Sequence, residues 1–333
     1  MVTINDIAKR AGVAKSTVSN ALTNKKYVSE PLKERIFRIC EELDYTPNFY
    51  ASKLSGSKTG IIALFLEQKQ KFHRYYSDLI TSCLQTVSEH GYSLLIYYNL
   101  DAKQYQNILK NGKAPIDGAI VLAPEMQDLR ITHIESNSIP CVVIGKADSE
   151  SEMSFVDVNN EKIVEDAVNL LYSGGYKTIC LINSNKHLKI SDERQTAFNR
   201  IKNELSLSPE SCVLCSETSS SSDGKTFALE RIKRGTAFIT ADTTLAEGVY
   251  EAAAECGLEI GKDVGVFSLG GTKDAGKTPN LANASQNYNL LARLASECLV
   301  DQITKLYDGE IPETSVTLID SEVNLDTSVN FIQ

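Results

Sequence analysis

The chain has 333 residues, 42% of them hydrophobic, which is length enough for two or three domains with cores of their own. No apolar run nears the roughly 20 residues of a membrane helix, so no membrane-spanning helix is expected. Charge is uneven: residues 1–58 carry ten Lys/Arg and six Asp/Glu, while the remainder has a net charge of −13. A basic head on an acidic body fits a protein that meets DNA at one end.

Thr3-Ile4-Asn5-Asp6 reads as a capping box that opens a first helix, with Ile4, Ile7, Ala8 and Ala11 at helical spacing. Gly12 ends it where a left-handed residue costs least, and Val13 plugs the corner. A second helix runs from Lys15 to Leu22, with Val18, Ala21 and Leu22 inward and Lys15, Ser16 and Asn20 sharing the outer face. A short polar face after a tight turn is what a helix-turn-helix lays into the major groove. The third helix begins at Ser29 as N-cap, with Pro31 in its first turn and Leu32, Ile36, Ile39, Cys40 and Leu43 as its buried stripe. Tyr45 and Pro47 close the head. Phe49 to Leu54 can form one more short helix, capped by Asn48, which is too short to hold in isolation and is expected to fold on DNA.

From Thr59 onward strands and helices alternate. Apolar strands are predicted over 60–66, 93–98, 116–122, 141–144, 178–182, 236–241, 264–269 and 315–319, with an amphipathic helix over 76–90 among the helices between them. This pattern indicates parallel sheets covered on both sides, enough for two doubly wound lobes. The eight cysteines lie mostly in apolar runs, which suggests buried thiols in a reducing cytoplasm. Cys212-Val213-Leu214-Cys215 lacks a second pair or nearby histidines, so it reads as a strand with small buried side chains rather than a metal or redox motif. Ser216 to Ser222 reads as a flexible loop ahead of a helix. No metal site, cofactor motif or catalytic constellation can be argued, so an enzyme is not expected. Met1 leads straight into a capped helix with no secretory signal, which makes a cytoplasmic location the expectation.

The chain resembles the lactose-repressor/galactose-repressor (LacI/GalR) family of bacterial transcription regulators. The resemblance is carried by Thr3-Ile4-Asn5-Asp6-Ile7-Ala8, Ala11-Gly12-Val13, Thr17-Val18-Ser19, Val28-Ser29, Leu43-Asp44-Tyr45-Thr46-Pro47-Asn48, and Ala51 with Leu54. It implies a helix-turn-helix domain over 1–46, a hinge over 47–58 and a body of the periplasmic-binding-protein type I arrangement over 59–333. The N-lobe would comprise 59–157 and 287–319, and the C-lobe 158–286 and 320–333. The implied function is that of a repressor which binds a near-palindromic operator as a homodimer. A small-molecule effector, a sugar or sugar derivative above all, would control it from the cleft. The alternative is control by a protein corepressor, or no control at all. A plain solute-binding protein would share the body, and the fused head argues against it.

Lys15, Ser16 and Asn20 would then read bases, since lysine suits guanine acceptors and asparagine can hold adenine. Thr17, Ser19, Ser29 and Tyr45 would bind phosphates. Asn48, Ala51, Lys53 and Leu54 would form the minor-groove hinge, with Leu54 as the wedge. By the same resemblance Tyr75, Tyr76, Arg194, Asp242 and Gln286 would contact the effector. Several positions depart from the family, among them Ala14 where serine is common and Ile163 where glycine is usual. Asn20 stands where arginine is common, Gly145 where many members place an acid, and Ser268-Leu269-Gly270-Gly271 replaces a Gly-Phe-Asp-Asp stretch. With two acceptors gone, sugar recognition has less to rely on.

Overall fold

The computed structural model describes residues 2–23, 27–43, 45, 58–66, 74–98, 100, 102–109, 116–147, 153–271 and 278–330. The chain divides into an N-terminal head and a larger body, which are described separately.

The described part of the head contains α1 (Ile4–Ala11), α2 (Lys15–Thr23) and α3 (Glu30–Glu42). The Asp6 carboxylate reaches back to accept from the backbone N–H of Thr3 at 2.8 Å and from its hydroxyl at 2.7 Å. Gly12 adopts φ 64°, a left-handed conformation that a side chain would strain. Its neighbour Val13 returns its amide to the Ala8 carbonyl, and Arg35 of α3 donates to the Ala11 carbonyl at 2.7 Å, so the free end of α1 is satisfied. Ile7, Val18 and Ile36 are fully buried where the three helices meet. One expectation fails here. Ser29 occupies the N-cap position of α3, yet its side chain makes no capping hydrogen bond. Pro31 has no N–H to offer, and the Leu32 amide is taken by the Ser29 carbonyl, so the hydroxyl is left without a donor to cap.

The body is built on two sheets. In chain order come β1 (Ile61–Phe65), α4 (Arg74–Glu89), β2 (Ser93–Tyr97), α5 (Ala102–Leu109), β3 (Gly118–Leu122), α6 (Leu129–Ser136), β4 (Cys141–Ile144) and β5 (Ser154–Val158). Then follow α7 (Asn160–Ser173), β6 (Thr178–Asn183), α8 (Lys189–Glu204), β7 (Val213–Cys215), α9 (Ser221–Leu229), β8 (Thr236–Thr240), α10 (Thr243–Glu255), β9 (Val264–Ser268) and β10 (Ala282–Ser285). The chain ends with α11 (Tyr288–Asp308), β11 (Val316–Ile319) and β12 (Glu322–Asn324).

One sheet has the order β11-β5-β4-β3-β1-β2 and the other β12-β10-β9-β8-β6-β7. Strands such as β3, β4, β8 and β9 are buried along their whole length, as apolar runs covered by helices on both faces must be. The chain passes between the sheets three times, after β5, after β10 and between β11 and β12.

Three strands have no counterpart in the expected pattern: β5, β10 and β12. Ser154-Phe155-Val156-Asp157-Val158 and Ala282-Asn283-Ala284-Ser285 carry too many small or polar residues to stand out as apolar runs. The sheets are also not wholly parallel, because β12 pairs antiparallel with β10, Asn283 opposite Asn324. The chain leaves β11 at the end of one sheet that faces the other lobe. It enters the C-lobe from that same side, so β12 has to run against its neighbours.

Two further expectations are corrected. The 216–222 segment is not a loose loop: Ser216 and Ser219 are buried, the Ser216 hydroxyl donates to Asp223 at 2.5 Å, and Ser220 caps α9 by accepting from the Asp223 amide at 3.1 Å. Hydroxyls this dense have found a helix N-terminus to satisfy. Nor are the thiols uniformly buried. Cys40, Cys83, Cys141 and Cys180 are, whereas Cys212, Cys215 and Cys298 are half-buried and Cys256 is exposed.

Candidate nucleic-acid interface and ligand cleft

On the head, Lys15 and Ser16 are exposed at the start of α2, and Asn20 lies half-buried one turn further along. With Ala14 rather than a hydroxyl residue ahead of it, α2 begins on backbone bonds alone, from the Thr17 and Val18 amides to the Ala14 carbonyl. Thr17 and Ser19 are half-buried on the same helix and Ser29 is exposed. Tyr45 is half-buried, its amide donating to the Cys40 carbonyl at 2.8 Å. The structure therefore gathers Lys15, Ser16, Thr17 and Asn20 on one short helix. Asn48, Ala51, Lys53 and Leu54 lie outside the described residues.

In the body, the carboxyl ends of the strands from both sheets carry a polar cluster, the place where open parallel sheets bind ligands. Helix caps hold its backbone. Asn159 accepts from the Lys162 amide, Asp242 from the Leu245 amide and Asn287 from the Leu290 amide, each at the start of a helix that follows a strand.

Arg194, two turns into α8, is 3% exposed. Its Nε donates to Asn160 Oδ1 at 3.2 Å. Among the described residues no carboxylate stands within ion-pair distance of it, and burial holds its guanidinium below the usual range against the pull of Tyr288, Asp157, Asp242 and Glu193. Asp157, at the end of β5, accepts from the Val158 amide at 2.7 Å and from the Asn160 side-chain amide at 3.1 Å. Burial pushes its carboxyl up to about 7, with Glu193 adding to the rise and Arg194 and Lys146 opposing it. Glu193 in turn pairs with Lys146 at 2.9 Å. Lys146 follows β4 in one lobe and Glu193 sits on α8 in the other, so this ion pair crosses the cleft.

Backbone crosses it as well. Met126 N–H donates to the His187 carbonyl at 2.8 Å and Lys189 N–H to the Pro124 carbonyl at 3.2 Å, a short antiparallel bridge between the two lobes.

Of the residues expected to meet a ligand, Arg194 and Asp242 belong to this cluster. Gln286 is half-buried nearby and donates its amide to the Leu269 carbonyl at 3.1 Å, just before Gly270. Tyr76 is 2% exposed and packs in the hydrophobic cluster of the body, the place of a core residue. The side chain of Tyr75 lies outside the described set.

Gly145 has a reason of its own. Its φ is 110°, and a Cβ there would come within 2.8 Å of Pro124 Cδ, so the backbone leaves no room for the acid expected at this place. Asp157 and Glu193 supply acceptors instead. Sequence reasoning missed them along with Lys146, Asn160 and Tyr288, because nothing local marks them: they come from β5, α8, the segment after β4 and the starts of α7 and α11, which only the fold brings together.

It also missed Arg130, which is buried at the carboxyl edge of the N-lobe sheet. Its guanidinium pairs with Asp128 at 2.5 Å and donates to the carbonyls of Leu66, Leu122 and Ala123 at 3.0–3.1 Å. Burial works to raise the Asp128 carboxyl, but the hydrogen bonds and charge of Arg130 overcome it and hold that group below the usual carboxylate range.

A basic helix-turn-helix head fused to a two-lobed α/β body with a polar cleft defines a DNA-binding transcriptional regulator. Residues 3–48 match the family described as "Bacterial regulatory proteins, lacI family", and residues 168–325 match "Periplasmic binding protein-like domain". The head is therefore that of the lacI family of bacterial regulatory proteins, and the body is periplasmic-binding-protein-like. It is 27% identical over 333 residues to the HTH-type transcriptional repressor PurR of Edwardsiella ictaluri, with 96% of each chain covered. Its fold matches a lac repressor dimer bound to operator and the anti-inducer ONPF, with a TM-score of 0.77, 20% identity and 99% of each chain covered. It also matches the regulator CelR in a cellobiose complex, with a TM-score of 0.71, 19% identity, and 98% of this chain and 100% of that one covered. The relatives are regulators rather than enzymes. No described helix is long and apolar enough to cross a membrane, and the described residues hold no cluster of three or more His, Cys, Asp or Glu placed to bind a metal.

Proposed function

We propose that the chain is a repressor that binds a near-palindromic operator as a homodimer and is controlled by a hydroxyl-rich small molecule, a sugar or sugar derivative, in the cleft of its body. Lys15, Ser16 and Asn20 read bases, and Thr17, Ser19, Ser29 and Tyr45 hold phosphates. The hinge over 47–58 folds on DNA, and Leu54 wedges into the minor groove. Lobe closure around the effector controls whether that hinge can fold, through the effector's differential affinity for the two states.

The observation that carries the effector reading is Arg194. A buried guanidinium with one hydrogen bond and no ion-pair partner among the described residues is a costly group to keep unless something completes it. Donors from Arg194, Asn160 and Lys146 interleave with acceptors from Asp157, Glu193 and Asp242, which is the mixed lining that vicinal hydroxyls require. The operator-bound lac repressor dimer and the cellobiose-bound CelR, which share the fold, support the same reading.

The test is a thermal-shift screen of the full chain against sugars, sugar phosphates, nucleobases and amino acids. A ligand at 100 times its dissociation constant should add about 2.7 kcal/mol of stability. Loss of the shift in Arg194→Ala would place the ligand in the cleft. A panel in which no compound shifts the melt would overturn the small-molecule reading and leave a protein corepressor, or no effector control, as the alternatives.

A further inference from the structure

The C-lobe carries a thiol pair away from the cleft cluster. Cys180 lies on β6, and Cys212 immediately precedes β7, the edge strand beside it. Leu181 pairs with Val213 in the parallel register and donates its amide to the Cys212 carbonyl at 2.9 Å, which sets Cys180 and Cys212 side by side one step earlier. Their sulfurs are 3.6 Å apart. Adjacent parallel strands hold Cα atoms about 5 Å apart, inside the range a disulfide spans, so the sulfurs need to close by only roughly 1.5 Å to bond. The CxxC spacing makes no such pair. Residues three apart on a strand point to opposite faces, and Cys215 turns its sulfur toward Gln195 of α8 at 4.0 Å.

The two thiols differ in the way a reactive pair must. Cys180 is fully buried, while Cys212 is half-buried at the sheet edge, where a reagent can reach it. The hydrogen bond shared with Cys180 holds the Cys212 thiol below its ordinary range, and the cationic Arg231 and Lys202 add to this against its partial burial. The same bond and deeper burial raise Cys180. Cys212 is the more exposed thiol and the one favoured to react first, and Cys180 lies beside it to resolve it.

We propose that Cys180 and Cys212 form a peroxide-sensitive dithiol that closes reversibly to a disulfide. The Cys212 thiolate attacks the O–O bond of hydrogen peroxide, becoming a sulfenic acid and releasing hydroxide. The Cys180 thiol then attacks the Cys212 sulfur: the S–O bond breaks, the S–S bond forms, and water leaves. The hydroxide takes up a proton, so two thiols and one peroxide give one disulfide and two waters. The bond would tie the start of edge strand β7 to its neighbour β6. The 211–212 segment also holds α8, the helix that carries Glu193 and Arg194, because Lys202 donates to the Ser211 carbonyl.

The experiment treats the full chain with near-stoichiometric hydrogen peroxide at neutral pH, then alkylates and maps its peptides by mass spectrometry. The expected result is a linked peptide pair joining Cys180 to Cys212, removed by dithiothreitol, with loss of two thiols per chain. At early times Cys212 should be oxidised at least tenfold faster than the exposed Cys256, a comparison that needs no variant. Cys212→Ser should abolish the linkage and Cys215→Ser should leave it. Oxidation that begins at Cys256, a Cys212–Cys215 link, or sulfinic acid at Cys212 without a disulfide would each overturn the proposal.

Discussion

Two buried arginines in one body should respond in opposite ways to the same substitution. Arg130 and Arg194 are both 3% exposed. Arg130 is fully engaged, with a bidentate hold on Asp128 and three backbone carbonyls within 3.1 Å. Arg130→Met leaves Asp128 buried with an uncompensated charge, a change that costs about 3–5 kcal/mol. At roughly 2–4 °C per kcal/mol for a unit of this size, the melting temperature should fall by about 6–20 °C. Because pairing with Arg130 holds the Asp128 carboxyl below its ordinary value, this stabilisation is full above pH 4. It drains as the pH falls through the lowered value, so the two proteins should converge in acid.

Arg194→Met removes one hydrogen bond and a charge whose burial outweighs the return from the surrounding carboxylates. Its melting temperature without ligand should stay within about 2 °C of the parent or rise, as replacing a poorly paired buried charge with an apolar side chain allows. Ligand affinity should behave the other way. A lost charged hydrogen bond is worth about 1.5–3 kcal/mol, or roughly 10- to 150-fold in dissociation constant, whereas Arg130→Met should change affinity little in the fraction that stays folded. Thermal melts read the first contrast and calorimetric titration the second. Equal destabilisation by the two substitutions would refute the assignment of Arg194 to binding and Arg130 to architecture.

Asp157 gives a pH test. A carboxyl raised from 3.8 to about 7 by burial holds its proton more tightly folded than unfolded, so its contribution to stability is full below pH 3.8 and is lost as the pH climbs through 7. Asp157→Asn should flatten the fall in stability across that window, and parallel melting curves would contradict the raised value. Gly145→Ala forces a side chain into φ 110° and against Pro124, and urea unfolding should show a loss of about 1–3 kcal/mol. An unchanged midpoint would mean the loop yields freely. On the DNA side, fluorescence anisotropy should show Leu54→Ala weakening operator binding by tenfold or more while non-specific binding persists. Lys15→Ala should flatten the preference at one base pair by about 1–3 kcal/mol. Undiminished operator affinity in the first would exclude the wedge, and undiminished selectivity in the second would exclude base reading by Lys15.

The head was legible because its signals are local. A capping box, a left-handed glycine and an inward Val18-Ala21-Leu22 stripe each act within one turn of the residue that shows them. Apolar strands such as β3 and β4 were legible for the same reason. The cleft was legible only in part. Arg194 could be matched by resemblance, but its partners lie 34 and 37 positions away at Asn160 and Asp157, on a helix and strand whose juxtaposition no local pattern announces. Ser29 and the 216–222 segment failed in opposite directions for one reason: whether a hydroxyl caps a helix depends on which amides are still unsatisfied. Pro31 removes a donor from Ser29, whereas Asp223 draws in Ser216 and Ser220 together.

The contacts that hold the lobes together indicate how finely the body can be balanced. Two backbone hydrogen bonds join 124–126 to 187–189, each worth about 0.5–1.5 kcal/mol net. The Lys146–Glu193 pair, with Lys146 44% exposed, adds about 1 kcal/mol at most. Together these bridging contacts contribute roughly 1–4 kcal/mol to closure, against the about 5.5 kcal/mol of differential affinity that carries a two-state balance from one extreme to the other. The bridge is therefore strong enough to define a closed arrangement and too weak to lock it. A ligand that exchanges hydroxyls for the Lys146–Glu193 pair, or completes Arg194 between the lobes, acts on the same few kilocalories that the protein's own side chains supply. Under the proposed function, control of the lobes would lie where Asn160 links Asp157, Glu193 and Arg194.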